Sequence, residues 1–118
     1  MKKIISLLVC IVLLTACSNN KGFEVIDTNQ AQNIIDSGAV LIDVRTSEEY
    51  NREHIPNAVN IPLDQINTVA YDKDTKIIVY CQSGMRSRQA VQTLVDMGYT
   101  NLYDLDGGLL NWGGMLED

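Results

Sequence analysis

The chain has 118 residues, 46% of them apolar and 20% charged, with three cysteines and a formal net charge of −6. That length allows one domain and hardly two, and the apolar content excludes wholesale disorder. Without residues 1–16, which contain two lysines, the net charge is −8, and this argues against a nucleic-acid partner because the remainder offers no cationic face to phosphates.

The first 16 residues have the pattern of a secretory signal peptide. Lys2 and Lys3 precede an apolar run from Ile4 to Leu14, which is well short of the roughly 20 residues that a membrane-spanning helix needs. The segment Leu14–Cys17 resembles the lipobox of bacterial lipoproteins, in which the signal is cut before the cysteine and a diacylglycerol is attached to its sulfur. The resemblance implies that Cys17 is the first mature residue and a lipid anchor outside the cytoplasm, in the cell envelope. An ordinary signal, or an uncleaved anchor with a chance cysteine, is the alternative.

The three cysteines exclude a disulfide framework one by one. Cys10 is expected to leave with the signal peptide and the sulfur of Cys17 to be consumed by the lipid, so Cys81 is the only thiol of the mature chain. Residues 17–22 are then the lipidated cysteine and a short polar tether, and residues 23–118 are the domain. Because no second thiol can resolve an oxidised Cys81, its recovery needs an external thiol or a redox partner protein.

Strand and helix patterns alternate through residues 23–118. The strand patterns, short and rich in apolar residues, cover Phe23–Ile26, Val40–Val44, Ala58–Ile61, Lys76–Tyr80 and Leu102–Leu105. The helical patterns run from a cap at Asp27 or Thr28 to Gly38, then cover Thr46–Arg52, Leu63–Val69, Arg86–Met97 and a short stretch around Leu110 and Trp112. This alternation predicts an α/β domain with a mainly parallel sheet.

The reactive residues are concentrated where the fourth strand pattern leads into the long helix. Cys81 follows the strand, and residues 81–87 read Cys-Gln-Ser-Gly-Met-Arg-Ser. Ligand sites in parallel sheets lie beyond the carboxyl ends of the strands, and the unpaired N–H groups and dipole of a helix start stabilise anions there. We therefore expect Cys81 largely as the reactive thiolate, with Gly84 allowing the loop to turn and Arg86 adding a permanent cation.

This loop and several other segments resemble the rhodanese (sulfurtransferase) family. The segments stand in the family's order and spacing over about residues 23–116, and they are Leu41–Arg45, Glu49–Tyr50, His54–Pro62, Val79–Ser87 and Gly107–Gly108 followed by Trp112. The resemblance implies a mainly parallel central sheet of about five strands, flanked by helices on both faces. Glu53 and Asn57 depart from the family, which often has glycines on either side of His-Ile-Pro.

The resemblance also implies a sulfur transfer in two steps. The Cys81 thiolate takes the outer (sulfane) sulfur of a donor such as thiosulfate or a persulfide, and a thiol or cyanide then removes that sulfur from the Cys81 persulfide. Arg86 would bind the anionic group of the donor and stabilise the charged sulfur. The residues that would bind the substrate, mostly through their backbones, are Gln82, Ser83, Gly84, Met85 and Ser87. Related phosphatase and arsenate-reductase loops have five residues between cysteine and arginine, whereas this loop has four, which argues against a phosphatase.

Other polar residues close to the strand ends are interpreted as structural. Asp43 and Arg45 follow a strand, and we expect Arg45 to pair with Glu49. His54, the single histidine, is interpreted as structural because sulfane transfer by an ionised thiol needs no base. Trp112 is expected in the core. No His/Cys cluster has metal-ligand spacing, so neither a metal nor another cofactor is expected.

Two functions of different class remain open at this point. The chain is either an enzyme that transfers sulfane sulfur from a small-molecule donor to a thiol acceptor, or a non-catalytic or redox-sensing persulfide carrier that a partner protein reads. The net charge repels anionic donors at long range, while Arg86 and Arg88 are expected to make the loop mouth locally positive. We therefore expect thiosulfate to be a poorer donor than a persulfide.

Overall fold

The computed structural model describes residues 21–118, and the predicted signal peptide, Cys17 and most of the tether lie outside this range. Within it, five strands alternate with three α-helices and two short 3₁₀ helices. The strands are β1 (Glu24–Ile26), β2 (Val40–Asp43), β3 (Val59–Asn60), β4 (Ile77–Tyr80) and β5 (Leu102–Leu105). The α-helices are α1 (Thr28–Asp36), α2 (Ser47–Arg52) and α3 (Met85–Asp96), and the 3₁₀ helices are Leu63–Thr68 and Gly108–Asn111. No helix in residues 21–118 combines the length and apolar character needed to cross a bilayer.

The strands form one sheet in the order β1-β5-β4-β2-β3, and every neighbouring pair is parallel. The predicted α/β fold with a five-stranded parallel sheet is confirmed. Side chains of β4 alternate between two apolar clusters, because successive residues of a strand point to opposite faces. Ile77 and Val79 pack with α3 on one face, and Ile78 and Tyr80 pack with α1 on the other. Helices on both faces thus bury β4 completely, and Cys81 follows directly at its carboxyl end.

Local capping signals determine where the first two helices begin. The Asp27 carboxylate accepts the N–H of Gln30 at 2.9 Å, and the Gln30 side chain accepts the N–H of Asp27 at 3.0 Å. Thr46 and Glu49 form the same reciprocal capping box at the start of α2. Asp27, one of the two residues expected to cap α1, is therefore its cap.

The two positions that depart from the family's glycines differ in what the backbone requires. Asn57 has φ of 72°, in the left-handed region that glycine occupies most easily and asparagine tolerates better than most residues. Glu53 has φ of −170°, which is ordinary extended backbone. The substitution at position 57 therefore preserves the turn, and position 53 does not need a glycine.

Candidate active site

Cys81 lies directly after β4 and is 1% exposed. Its Sγ accepts a hydrogen bond from the backbone N–H of Gly84 at 3.0 Å. Gly84 precedes α3 and has φ of 109°, a conformation that residues with a side chain rarely adopt. The loop therefore directs an amide donor of the helix start at the sulfur. Cys81 is also the only free cysteine in residues 21–118.

The C-terminal 3₁₀ helix fixes the other side of the loop. The carbonyl oxygens of Cys81 and Gln82 accept the N–H groups of Leu109 at 2.8 Å and Leu110 at 3.1 Å. This approach requires a glycine at position 108, because a Cβ there would lie 2.4 Å from the Cys81 carbonyl oxygen. The sequence identified Gly107–Gly108 only as a family motif, and the structure gives the second glycine its physical reason.

Arg45 and Asp43 form a buried ion pair beneath the loop, which corrects the expected pairing of Arg45 with Glu49. The Arg45 guanidinium donates to both carboxylate oxygens of Asp43, at 2.7 to 3.1 Å, and the side chains are 3% and 0% exposed. Arg45 also donates to the side chain of Gln82 at 3.3 Å and to the carbonyl of Glu53 at 2.7 Å. Burial lowers the pKa of Arg45, but the hydrogen bond and charge of Asp43 outweigh it and raise that pKa. Arg45 thus holds Gln82, the first residue after Cys81.

Glu49 instead pairs with Arg86, the arginine expected to bind the donor. The guanidinium of Arg86 makes two hydrogen bonds to the carboxylate, Nη1 to Oε1 at 2.8 Å and Nη2 to Oε2 at 3.1 Å. The hydrogen bond from Arg86 is the main reason that the pKa of Glu49 falls to about 2. The same bond raises the pKa of Arg86. This ion pair joins α2 to the first turn of α3.

Arg88, the other arginine expected to make the loop mouth locally positive, is also paired with a carboxylate. Its Nε donates to Asp104 at 2.8 Å, and the other oxygen of that carboxylate accepts the buried Ser87 hydroxyl at 2.7 Å. These residues border a groove of about 560 Å³ beside the loop, which is lined by Ser83, Gly84, Met85, Arg88, Gln89, Gln92, Asp104, Asp106 and Gly107. The groove carries carboxylates as well as a guanidinium, and it is not a cationic surface.

The remaining residues singled out in the sequence lie in structural surroundings. The ring of His54 stacks on Tyr50 with centroids 3.8 Å apart, and its nitrogens contact the Tyr50 carbonyl at 2.8 Å and Glu117 at 3.3 Å. Trp112 packs against the apolar cluster that includes α1, and its indole N–H donates to the Met115 carbonyl. Residues 21–118 contain no group of three or more His, Cys, Asp or Glu side chains arranged to hold a metal ion.

A model of the rhodanese-like domain family matches residues 27–115. The chain belongs to the rhodanese family. Its relatives include proteins named as thiosulfate sulfurtransferases, at 34 to 43% identity. PspE of Escherichia coli (strain K12) is 43% identical over 70 residues, covering 56% of this chain and 67% of PspE. GlpE of Pseudomonas savastanoi is 34% identical over 98 residues, covering 81% of this chain and 92% of GlpE.

Solved rhodanese structures share the fold over most of the domain. The crystal structure of a rhodanese-like domain protein from Staphylococcus aureus has a TM-score of 0.70 at 32% identity, covering 80% of this chain and 96% of the other. Some curated relatives are longer, and the match spans only 21%, 64% and 66% of three of them. What those whole proteins do is therefore not carried over to this chain.

In this rhodanese domain the predicted loop residues have different surroundings. Gln82 is held from below by Arg45, and Ser87 is fully buried against Asp104. Ser83, Gly84 and Met85 line the groove, and Met85 is 75% exposed.

Proposed function

We propose that this rhodanese domain is a sulfurtransferase in which Cys81 carries sulfane sulfur from a persulfide donor to a thiol or cyanide acceptor. The observation that supports it best is the amide N–H of Gly84, which donates to the Cys81 sulfur at 3.0 Å at the start of α3. A fixed donor of this kind stabilises the negative charge of the sulfur both as thiolate and as persulfide. The four residues between Cys81 and Arg86 suit a single sulfur atom better than a tetrahedral oxyanion.

The two half-reactions balance without an external oxidant. First, the Cys81 thiolate attacks the outer sulfur of the donor, so that a new S–S bond forms while the donor's S–S bond breaks, and its electron pair leaves on a thiolate or on sulfite. Second, the acceptor nucleophile bonds to that outer sulfur, and the electron pair of the Cys81 S–S bond returns to Cys81 as thiolate. The acceptor leaves as a persulfide or as thiocyanate.

The charges around the loop support a persulfide rather than thiosulfate as the natural donor. Arg86 and Arg88 each share their charge with a carboxylate, Glu49 and Asp104 respectively. A dianion such as thiosulfate therefore gains less at this loop than it would beside two unmatched guanidiniums, and a singly charged persulfide is penalised less by the surrounding negative charge.

Cyanolysis tests the activity directly. The Cys17→Ala variant, which keeps Cys81 but lacks the proposed lipid anchor, is incubated with thiosulfate or cysteine persulfide, which is singly charged, and cyanide. We expect thiocyanate to form faster than in the mixture without protein and the mass of one sulfur atom to appear on Cys81, and the Cys17→Ala, Cys81→Ser double variant to stay at the protein-free rate and take up no sulfur. A stable Cys81 persulfide without turnover would indicate the carrier module instead, and a Cys81 that never takes up sulfur would refute both functions.

We also propose that the domain is held at a membrane outside the cytoplasm by a lipid on Cys17, after removal of residues 1–16. The lipobox-like segment Leu14–Cys17 supports this, as does the position of β1, which begins at Glu24, just after the predicted tether. Mass spectrometry of the mature chain from cells is expected to find a diacylglycerol on residue 17. Lipid incorporation that persists in the Cys17→Ala variant would contradict the proposal.

A further inference from the structure

The chain enters the domain at the edge of the sheet opposite to the Cys81 loop. All five strands run parallel, so their amino ends share one edge and their carboxyl ends share the other. Lys21 and Gly22 precede β1 and lie beside Thr100 and Asn101, which precede β5. Cys81 follows β4 at the far edge.

The length of helix α3 gives the distance between these two edges of the sheet. At its carboxyl end it contacts Gly22, where an added Cβ would lie 3.0 Å from both methyl carbons of Val95. At its amino end it follows the Cys81 loop, starting with Met85. Val95 lies ten positions after Met85, and a rise of about 1.5 Å per position places the end of the tether about 15 Å from the loop along the helix axis.

The proposed tether is too short to reverse this arrangement. Four residues, 17–20, precede Lys21 in the mature chain, and at about 3.5 Å each they span at most about 14 Å. To bring the Cys81 loop to the bilayer, the tether would have to run the full height of the domain. That height exceeds the about 15 Å of helix axis, because loop backbone and side chains extend beyond both ends.

The surface charge near the tether does not override the orientation that the short tether imposes on the domain. Lys21, Lys73 and Lys76 all lie near the edge where the tether enters, since Lys76 precedes β4 and the Lys73 carbonyl accepts the N–H of Thr100. Asp72 and Asp74 flank Lys73 and offset much of this charge. The short tether, rather than attraction to anionic lipids, is what orients the domain.

We propose that the Cys81 loop of the anchored chain faces away from the membrane, so that its sulfur donor and acceptor are water-soluble persulfides and thiols rather than thiols held in the same bilayer. The inference rests on the proposed lipid at Cys17 and on the proposed sulfur transfer at Cys81. It adds the direction from which the substrate arrives, which neither of those proposals specifies.

Quenching of the single tryptophan tests the orientation without any activity measurement. Met85 reports on the loop edge, because it begins α3 directly after the Cys81 loop and is 75% exposed. Two single-tryptophan variants, Met85→Trp, Trp112→Phe and Lys21→Trp, Trp112→Phe, are lipidated and placed in vesicles containing lipids with nitroxide head groups. We expect no measurable quenching at position 85 and at least about twofold quenching at position 21, which lies within about 14 Å of the anchor. Equal quenching at both positions would overturn the proposal.

Sulfur transfer in vesicles tests the consequence for the substrate. Cys81 persulfide on the lipidated chain is discharged either by glutathione in solution or by a thiol on a phospholipid head group in the same vesicle. The matched control carries 20 glycine and serine residues inserted between Asn20 and Lys21, a flexible linker of about 25 Å root-mean-square length. We expect both chains to react equally with glutathione, and the native chain to react at least about tenfold more slowly than the lengthened chain with the bilayer thiol.

The outcomes of these experiments distinguish this inference from the two proposals on which it rests, the lipid anchor and the sulfur transfer. Equal rates of the two chains with the bilayer thiol would overturn the orientation while leaving sulfur transfer intact. Failure of both chains to react with glutathione would refute the proposed sulfur transfer, and a mature chain without lipid on Cys17 would refute the anchor. Either of these last two results would also refute the inference.

Discussion

Replacing Glu49 by glutamine should leave an unmatched positive charge beside the Cys81 loop and shift donor preference toward thiosulfate. The carboxylate accepts two hydrogen bonds from Arg86 in the native chain, and it also accepts the N–H of Thr46 in the capping box of α2. Glutamine keeps an acceptor oxygen and serves equally well in a capping box, so the variant removes a charge with little change of shape.

Coulomb's law sets the size of the effect. For a dianion about 8 Å from the guanidinium, one charge is worth about 1 kcal/mol at the dielectric constant of water and about 4 kcal/mol at the surface value of about 20. Screening over about 8 Å in physiological salt favours the lower figure. We therefore expect kcat/KM for thiosulfate to rise about fivefold to tenfold in Glu49→Gln, and kcat/KM for a singly charged persulfide to rise about twofold to threefold.

Cyanolysis with each donor at low and at high salt measures both changes. Glu48→Gln is the matched control, because Glu48 is the adjacent exposed residue of the same helix and its loss changes the net charge equally. The gain of Glu49→Gln should shrink as salt increases. If Glu48→Gln had the same effect as Glu49→Gln, or if the ratio between the two donors did not change, the Arg86 ion pair would not set donor preference.

Three further predictions concern stability, each measured by denaturant unfolding. The folded-state pKa of Glu49 lies near 2, below its usual 4.5, so the stabilisation that its ionised carboxylate provides is present above about pH 4.5 and is lost as the pH falls toward 2. The difference in unfolding free energy between the native chain and Glu49→Gln should therefore fall over that window by up to about 3 kcal/mol, or about half that after allowance for partial exposure. Gly108→Ala, with φ of 61° and a Cβ 2.4 Å from a loop carbonyl, should cost more than Gly38→Ala, with φ of 101° and open space around it; equal losses would show that the close approach carries no energy. Asp43→Asn should cost about 3 to 5 kcal/mol by leaving the Arg45 charge buried and unmatched, and adding Arg45→Met should recover part of that loss, whereas additive losses would contradict the argument.

Features encoded by neighbouring residues were predictable from the sequence. The buried run of β4, the cap of α1 and the start of α2 need only residues within a few positions of one another, so periodicity and capping signals located them. The cysteine at the carboxyl end of β4 followed from the same reasoning, because a strand–loop–helix unit places its loop at the ligand edge of a parallel sheet. The loop backbone is a local feature of this kind.

Charge pairing around the loop depends on the sheet order and could not be predicted in the same way. Arg45 and Glu49 are four positions apart, which suggested a local pair, but Arg45 precedes α2 and turns inward to the buried carboxylate of Asp43. Glu49 then meets Arg86, 37 positions away, only because β2 and β4 are adjacent in the sheet. Sequence spacing identifies which charged residues lie near a site, whereas their partners follow from the order of the strands.

In this arrangement the hydrogen bond to the Cys81 sulfur comes from a backbone amide, while the charged side chains beside the loop pair with one another. The group that donates to the Cys81 sulfur is the amide of Gly84, which carries no titratable proton in the physiological range. The surrounding charges are matched: the pKa of Glu49 is about 2, and the pKa of Arg86 is raised above an already high value, so this pair keeps its charges at neutral pH. The charges of this pair beside the loop therefore stay constant around neutral pH. The sulfur transfer that we propose needs no neighbouring base, and the ring of His54 contacts Tyr50 and Glu117.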